Sequence, residues 1–139
     1  MPDFIGAKIA LIYGDKLVMS LRDDKPGLRF AGMWDFPGGA REGTETPFEC
    51  VAREVREELS LALRHDSMLL EKEVESLHDP KLRGYFFVAK VTQEQVDSIR
   101  FGDEGQGWAL VSLDDFFARA DVIPKLKDRM REYLDSLKP

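Results

Sequence analysis

Apolar runs separated by turn-forming residues divide the first part of the chain into short strands. An apolar-rich run at residues 4–13 is followed by the pair Gly14-Asp15 and by a second apolar run at residues 16–21. Two such runs around a tight turn predict a β-hairpin. The next segment, residues 22–32, is polar and contains proline and glycine, so it is predicted to be a loop.

An amphipathic helix is predicted to begin just after Thr46. Thr46 is a suitable N-cap, Pro47 suits the first helical position, and Glu49 completes a capping box. Apolar residues then recur at helical spacing, and acidic residues lie along one flank of that stripe. The stripe consists of Phe48, Val51, Ala52, Val55 and Leu59, and the flank carries Glu54, Glu57 and Glu58. The helix is therefore expected to pack by one face and to present carboxylates beside it.

The remaining pattern adds strands on both sides of this helix. Strands are predicted at residues 34–36, 67–74, 84–91 and 108–112, a short helix at 93–99, a glycine-rich loop at 102–107 and a terminal helix at 122–137. This order predicts an α/β fold in which a mixed β-sheet is flanked by helices, with the acidic helix edge facing a cleft. Residues 1–139 are expected to form a single domain, because neither a repeat nor a linker interrupts the pattern.

Composition narrows the class of protein. Apolar residues make up 43% and charged residues 33% of the 139 positions, which is ordinary for a globular domain. Neither an apolar run long enough to cross a bilayer nor a basic leader with a cleavage site is apparent, so no membrane partner is expected. Cys50 is the single cysteine, which excludes an intrachain disulfide and makes the cytoplasm the expected location.

The charge balance argues against nucleic acid as a partner. The formal net charge is −6, whereas nucleic-acid binders usually carry a basic face. A small anionic substrate remains compatible with this balance if metal ions lie between the two sets of negative oxygens. Zinc is not expected, since His65 and His78 lack ligand spacing with each other or with the cysteine.

The acidic flank of the helix suggests a particular chemistry. Glu54, Glu57 and Glu58 fall within five residues and repel one another unless a positive group neutralises them. A hard divalent cation such as Mg²⁺ suits oxygen ligands of this kind, and its natural partner is a phosphate. The pattern therefore points to hydrolysis of a phosphoanhydride.

The same region resembles the sequence box of the Nudix hydrolases, and of their MutT-like members in particular. The box runs glycine, five residues, glutamate, seven residues, and then Arg-Glu-apolar-any-Glu-Glu-any-Gly-apolar. The matching positions are Gly39, Glu45, Arg53, Glu54, Val55, Glu57, Glu58 and Leu61. Ser60 stands where the family has the glycine that usually ends the helix in a left-handed turn.

This resemblance implies a Nudix α/β/α sandwich and a Mg²⁺-dependent hydrolase in which Mn²⁺ can substitute. It implies that Glu57 and Glu58 ligate the metal and that Glu54 is either a ligand or the general base. The backbone carbonyl of Gly38 is a further expected ligand. Arg53 is expected to orient the carboxylates, and an acidic residue earlier in the box, Glu45, to support it by salt bridging.

A second group of residues is expected to surround the substrate. Glu104 precedes a Gly-Gln pair and a tryptophan, which resembles a MutT-type loop whose glutamate is a metal ligand or helps the base. Arg22 and Arg29 occupy places where MutT-type members contact the substrate. Phe36 is a candidate for stacking on a base, and the Gly38-Gly39 pair for close approach of the backbone to metal and substrate.

The expected substrate is a nucleoside or deoxynucleoside triphosphate, cut to the monophosphate and pyrophosphate, with modified nucleotides such as 8-oxo-dGTP included. The asparagine that reads the oxidised purine in the bacterial prototype aligns with Arg119 or its neighbours, which argues against that specificity. Three alternatives stay open: a pyrophosphatase of nucleoside diphosphate sugars such as ADP-ribose, a non-catalytic nucleotide-sensing module, and a structural domain with a stabilising ion. A homodimer is also left open, because many relatives pair.

Overall fold

The N-terminal hairpin forms as predicted and opens into a fork. The structure, a computed structural model, describes residues 4–139. Strands β1 (Gly6–Tyr13) and β2 (Lys16–Leu21) are antiparallel, but they pair only next to their turn, at Ile12 with Leu17 and at Tyr13 with Lys16. Their far ends therefore separate, and this separation creates the space in which the candidate site lies.

Two very short strands fill the fork. Strand β3 (Trp34–Asp35) pairs with the far end of β2, and β4 (Gly38–Ala40) pairs with the far end of β1, both antiparallel. The sequence predicted a brief strand at residues 34–36 but ended it at the Pro37-Gly38-Gly39 segment, so β4 was missed. A three-residue strand has no periodicity of its own to detect, and it exists only because β1 offers free backbone groups.

The rest of the sheet extends from the outer edges of the hairpin. Strand β6 (Arg83–Lys90) runs parallel to β1, and β5 (Met68–Glu75) is antiparallel to β6. Strand β7 (Gly107–Ser112) is antiparallel to β2 on the other side. The sheet is therefore mixed, as the sequence predicted.

Helices cover both faces of this sheet. Helix α1 (Pro47–Leu59) packs on one face, where its buried residues join those of β1 and β6. Helices α3 (Leu113–Ala118) and α4 (Pro124–Ser136) cover the other face, and the short α2 (Gln93–Asp97) follows β6. The predicted α/β/α sandwich is thus confirmed, whereas α3 was not predicted. In the described part of the chain, every helix is too short or too polar to cross a membrane.

The ends of α1 match the sequence signals closely. The Thr46 hydroxyl accepts a hydrogen bond from the Glu49 N–H at 3.2 Å, and the Glu49 carboxylate accepts one from the Thr46 N–H at 2.8 Å. At the other end Ser60 adopts the left-handed conformation, with a φ of 60°, where the family has glycine. The helix therefore ends as expected despite the substitution, at the cost of some backbone strain.

Candidate active site

Arg53 is the centre of an ion-pair network on the exposed flank of α1. Its Nε lies 2.7 Å from Glu45 Oε2, and its Nη1 lies 2.8 Å from Glu54 Oε1 and 3.2 Å from Glu57 Oε1. Its Nη2 donates to the carbonyl oxygen of Ala40, in β4, at 2.8 Å. A planar guanidinium with five donors can hold several carboxylates in fixed orientations while tying them to the neighbouring strand.

The Gly38-Gly39 pair brings the backbone of β4 directly against these carboxylates. A Cβ atom at Gly39 would lie 2.5 Å from Glu54 Oε2, and one at Gly38 would lie 2.1 Å from the carbonyl oxygen of Ala7 in β1. The Gly38 N–H donates to Glu58 Oε1 at 3.2 Å. Only residues without a side chain leave room for this arrangement, so both glycines are needed to place Glu54 and Glu58 beside the strand.

Glu58 is the most perturbed acid of the group. Burial raises the pKa of Glu58 to about 8, against the opposing effects of the Lys8 ammonium and the Gly38 N–H, and the nearby Glu54 raises it further. In contrast, the hydrogen bond from Arg53 lowers the pKa of Glu45. A cation placed beside Glu58 would offset this cost of burying its charge.

These residues fit a hard divalent cation by chemistry but do not form a complete cage. Within residues 4–139, no group of three acidic, histidine or cysteine side chains is gathered closely enough to hold an ion. Glu54 and Glu58 are close to each other, whereas the Glu57 side chain is 58% exposed and held by Arg53. The donors are all oxygens, which is the set that Mg²⁺ prefers, and Mg²⁺ usually keeps several waters.

The glycine-rich loop approaches the same carboxylates from the end of α1. The Gly102 N–H donates to the Glu58 carbonyl at 2.8 Å, and the Ser60 hydroxyl donates to the Arg100 carbonyl at 3.2 Å. Further along, the Gly105 N–H lies 3.4 Å from Asp23 Oδ2. Glu104 consequently lies on the rim of the same cavity as Glu54 and Glu58, with its side chain exposed.

The predicted substrate-contacting side chains separate into different environments. Arg22 lines the cavity and lies 3.3 Å from Asp35 Oδ2 through Nη1. Arg29 is not among the described residues that line the cavity, and its Nη1 donates to the His78 carbonyl at 2.9 Å. Arg29 therefore does not line the cavity itself but contacts the backbone of His78, which does.

Phe36 requires a correction. Phe36 is 1% exposed, and its ring is stacked with Phe86, at a centroid distance of 6.0 Å, and with Phe116, at 5.4 Å. A ring buried to this extent among core aromatics has no free face for a nucleobase. Phe36 lies between β3 and β4, and although the residue lines the cavity, its side chain belongs to the core on the α3 and α4 face of the sheet.

The cavity itself has a volume of about 860 Å³ and combines acidic and basic walls. Besides the carboxylates it is lined by Lys8, Asp35 and Arg129, none of which the sequence reading placed at the site. In the sequence, Lys8 and Asp35 are weakly marked as site residues, because each is a charged residue inside an otherwise apolar strand. The sequence does not mark Arg129, since it lies among ordinary polar positions of an amphipathic helix.

Comparison with known proteins agrees with this geometry. The family model for the NUDIX domain matches residues 5–137. The 8-oxo-dGTP diphosphatase of Escherichia coli (strain K12) is 35% identical over 103 residues, which are 70% of this chain and 76% of that protein.

Solved structures share the fold at low sequence identity. The MutT protein from Methanosarcina mazei Go1 superposes with a TM-score of 0.78 at 21% identity, covering 99% of this chain and 97% of the other. The NUDIX domain of Shewanella oneidensis NrtR, complexed with ADP ribose, superposes with a TM-score of 0.66 at 18% identity and covers 96% of this chain and 90% of its own.

Proposed function

The chain belongs to the Nudix hydrolase family, and from this premise we propose that it is a Mg²⁺-dependent pyrophosphohydrolase of nucleoside or deoxynucleoside triphosphates. The reaction would release a nucleoside monophosphate and pyrophosphate. The observation that carries the proposal is the Arg53-centred carboxylate network beside the Gly38-Gly39 pair, on the wall of a cavity of about 860 Å³. Ligand sites of this size accommodate molecules as large as a nucleotide.

The chain offers a plausible set of oxygens for the ion. Glu54 and Glu58 would hold it together with the Gly38 carbonyl, and Glu57 and Glu104 are the nearest additional carboxylates. When bound, Mg²⁺ supplies charge neutralisation at the phosphates and lowers the pKa of a coordinated water. Arg53 would keep Glu54 and Glu57 oriented without touching the substrate.

Hydrolysis also requires a group that accepts a proton. As a water oxygen forms its bond to phosphorus, the P–O–P bridge breaks and the bridging oxygen leaves with the product that is not attacked. Glu54 or Glu104 would accept the proton that the attacking water loses. Replacing each residue by glutamine and comparing the pH dependence of kcat would assign the role, since loss of the base removes the acidic limb of the profile.

Which nucleobase the substrate carries is a finer part of the proposal. The Escherichia coli relative is named for 8-oxo-dGTP, which supports including oxidised nucleotides among the substrates. Near the start of α4, however, Arg119 Nε is paired with Asp121 Oδ1 at 2.7 Å, and both side chains are partly exposed. We therefore expect hydrolysis of unmodified triphosphates as well as 8-oxo-dGTP.

A nucleotide panel tests the proposal directly. The purified protein is incubated with Mg²⁺ and with ATP, GTP, CTP, UTP, their deoxy forms and 8-oxo-dGTP, and pyrophosphate and monophosphate are measured separately. The proposal expects both products in equal amounts and none after chelation of the metal. Release of inorganic phosphate and a nucleoside diphosphate would contradict it. A Glu132→Gln variant, changed on the surface of α4, serves as a matched control that retains activity.

A second candidate is hydrolysis of a nucleoside diphosphate sugar. The observation that favours it is the superposition on a NUDIX domain complexed with ADP ribose. Adding ADP-ribose to the same panel separates the two candidates by the products, because ADP-ribose yields AMP and ribose 5-phosphate without pyrophosphate. Tight binding of any of these nucleotides without product would instead favour a non-catalytic sensing module.

A further inference from the structure

A residue that lines the cavity carries a buried carboxylate oxygen that has no partner within the described part of the chain. Asp35 is 3% exposed and lines the cavity, and its Oδ1 is the atom concerned. Its other oxygen, Oδ2, receives the Lys8 ammonium at 2.9 Å and Arg22 Nη1 at 3.3 Å. The charge of this carboxylate is therefore compensated while half of its hydrogen-bonding capacity is unused.

The position of Asp35 is fixed by the sheet. It lies in β3, opposite Ser20 of β2, while Lys8 lies in β1 opposite Gly38 of β4. The two residues therefore face each other across the fork of the hairpin. Lys8 Nζ is also 3.4 Å from the Gly38 carbonyl, which places the Asp35 pair next to the carboxylates of α1.

A buried acceptor without a donor is costly, whereas a neutral N–H supplied by a ligand makes a charge-assisted hydrogen bond with it. An acceptor atom brought to the same place would face the negative oxygen and be repelled. The arrangement therefore discriminates between ligand edges that present an N–H and ligand edges that do not. Lys8 and Arg22 act as positioning residues, because they hold Oδ2 and thereby direct Oδ1.

We infer that Asp35 is a specificity-determining residue that accepts a hydrogen bond from an amino or imino N–H of the nucleobase. This inference rests on the proposed function of the cavity and adds a requirement to it: the substrate must carry a base with an N–H on its hydrogen-bonding edge. The Asp35 Oδ1 atom contacts the base, and the carboxylates of α1 act on the phosphates.

The test uses two series of nucleotides whose bases differ in their N–H donors, and in ATP, 2-aminopurine riboside triphosphate and CTP the amino group is the only difference from the reference. Purine riboside triphosphate and pyrimidin-2-one riboside triphosphate carry no base N–H and serve as references for GTP, ITP, ATP, 2-aminopurine riboside triphosphate, CTP and UTP. For the wild-type protein we expect kcat/KM to rise roughly 10- to 100-fold when the donor that reaches Asp35 is present. Equal kcat/KM for all members of both series would overturn the inference and indicate that a water satisfies Oδ1.

An Asp35→Asn variant connects the effect to the residue. We expect it to reduce the gain in kcat/KM from the donor, taken relative to the reference nucleotides in the same variant, at least about fivefold, because the neutral amide oxygen is a weaker acceptor. Asp15→Asn, in the exposed turn between β1 and β2, is the matched control and keeps the wild-type gain. An unchanged gain in Asp35→Asn would contradict the inference. If this variant fails to fold, the dependence of the wild-type kcat/KM on the N–H donor still tests the inference.

Binding separates this inference from the proposed function. If no triphosphate is hydrolysed, the proposed function fails, and the affinities of the corresponding monophosphates are measured by calorimetry. A donor-dependent gain in affinity that Asp35→Asn removes would support the role of Asp35 alone. Absence of nucleotide binding, or affinities independent of the N–H, would overturn it.

Discussion

Helices α1 and α4 are similar in their relation to the sheet and different in what they present beside it. Each has 13 residues, begins with a proline and covers one face of the sheet with an apolar stripe. The buried residues are Cys50, Val51, Val55 and Leu59 in α1 and Leu126, Met130 and Tyr133 in α4. Amphipathic packing therefore explains why both helices exist and does not distinguish their functions.

The flanking residues make the difference. The flanking residues of α1 converge on Arg53 and on the glycine pair of β4. Helix α4 contributes one cavity-lining residue, Arg129. Its Nη2 donates to the Glu75 carbonyl at 2.6 Å. The acidic flank of α1 lies against β4 in the fork between β1 and β2, where short strands and glycines let the backbone approach a side chain. The chemistry of a helix in this fold depends on which part of the sheet its flank meets.

Replacing Glu58 by glutamine is expected to have the largest effect. Loss of a half-buried carboxylate that the proposal assigns to the ion should lower kcat/KM about 1,000-fold. The Glu132→Gln change on α4 should leave it within about twofold, because that residue is exposed and pairs with Lys72 at the surface. Steady-state hydrolysis of the preferred triphosphate measures both. An equal loss of kcat/KM in Glu58→Gln and Glu132→Gln would contradict the assignment of the active site to the flank of α1.

The stability of the metal-free protein should depend on pH through Glu58. Burial raises the pKa of Glu58 to about 8 from its ordinary value of 4.5, so between these values the folded state binds a proton that the unfolded chain has lost. The stabilisation is therefore complete below the unfolded value and is lost as the pH rises through about 8. We expect the free energy of unfolding to fall by on the order of a few kcal/mol.

Denaturant titrations in the presence of a chelator, at mildly acidic and mildly alkaline pH, measure this loss. Glu58→Gln should flatten the dependence, because the amide does not titrate. Added Mg²⁺ should restore stability at alkaline pH, where the carboxylate is ionised. If wild type and variant lose stability in parallel, another group is responsible.

Replacing Arg53 by lysine is expected to have an intermediate effect. Lysine keeps the charge but cannot hold Glu45, Glu54 and Ala40 at once, and changes of residues that orient metal ligands typically cost about 10- to 100-fold in activity or metal affinity. The Mg²⁺ concentration for half-maximal activity should rise together with the loss of activity. Arg56→Lys, on the exposed side of α1, is the control. A loss of activity with an unchanged Mg²⁺ requirement would argue against an orienting role.

Replacing Thr46 by alanine is expected to have the smallest effect and to be confined to stability. The change removes the hydroxyl that caps α1 and should lower the free energy of unfolding by about 1 kcal/mol. Thr46→Ser keeps a capping hydroxyl and should therefore retain most of the wild-type free energy of unfolding. The N-cap residue of helix α4, Ile123, makes no side-chain hydrogen bond to the first turn. A loss of stability well below about 1 kcal/mol in Thr46→Ala would show that packing alone also stabilises the start of α1. Chemical denaturation of the three proteins provides the measurement.

Local signals in the sequence account for the parts that could be predicted. The cap at Thr46, the stripe of α1 and the β1–β2 hairpin depend on residues a few positions apart, and each was predicted within a residue or two. Ser60, which departs from the glycine of the family pattern, left the end of α1 open, and the structure shows it in the left-handed conformation. The ion pairs of Arg53 with Glu54 and Glu57 are likewise local, because Glu54 is its neighbour in the chain and Glu57 lies one helical turn further on.

The parts that were missed depend on contacts between distant segments. Strand β4 and helix α3 are too short to have a period of their own, and the burial of Phe36 depends on Phe86 and Phe116, which lie far along the chain. The spacing along α1 also did not predict whether the Glu57 side chain turns toward Glu54 and Glu58 or away from them. The structure holds Glu57 outward, beside Arg53, so the predicted ligand set is only partly assembled.

The sequence by itself determined the family, the order of the elements and the acidic flank of α1, because spacing along a helix and turn chemistry act over a few residues. Tertiary structure alone decided that β1 and β2 diverge, that Gly39 touches Glu54, and that Lys8 meets Asp35 across the resulting fork. These contacts join segments about 15 to 30 residues apart. Their geometry follows from the register of the strands, which a linear pattern does not contain.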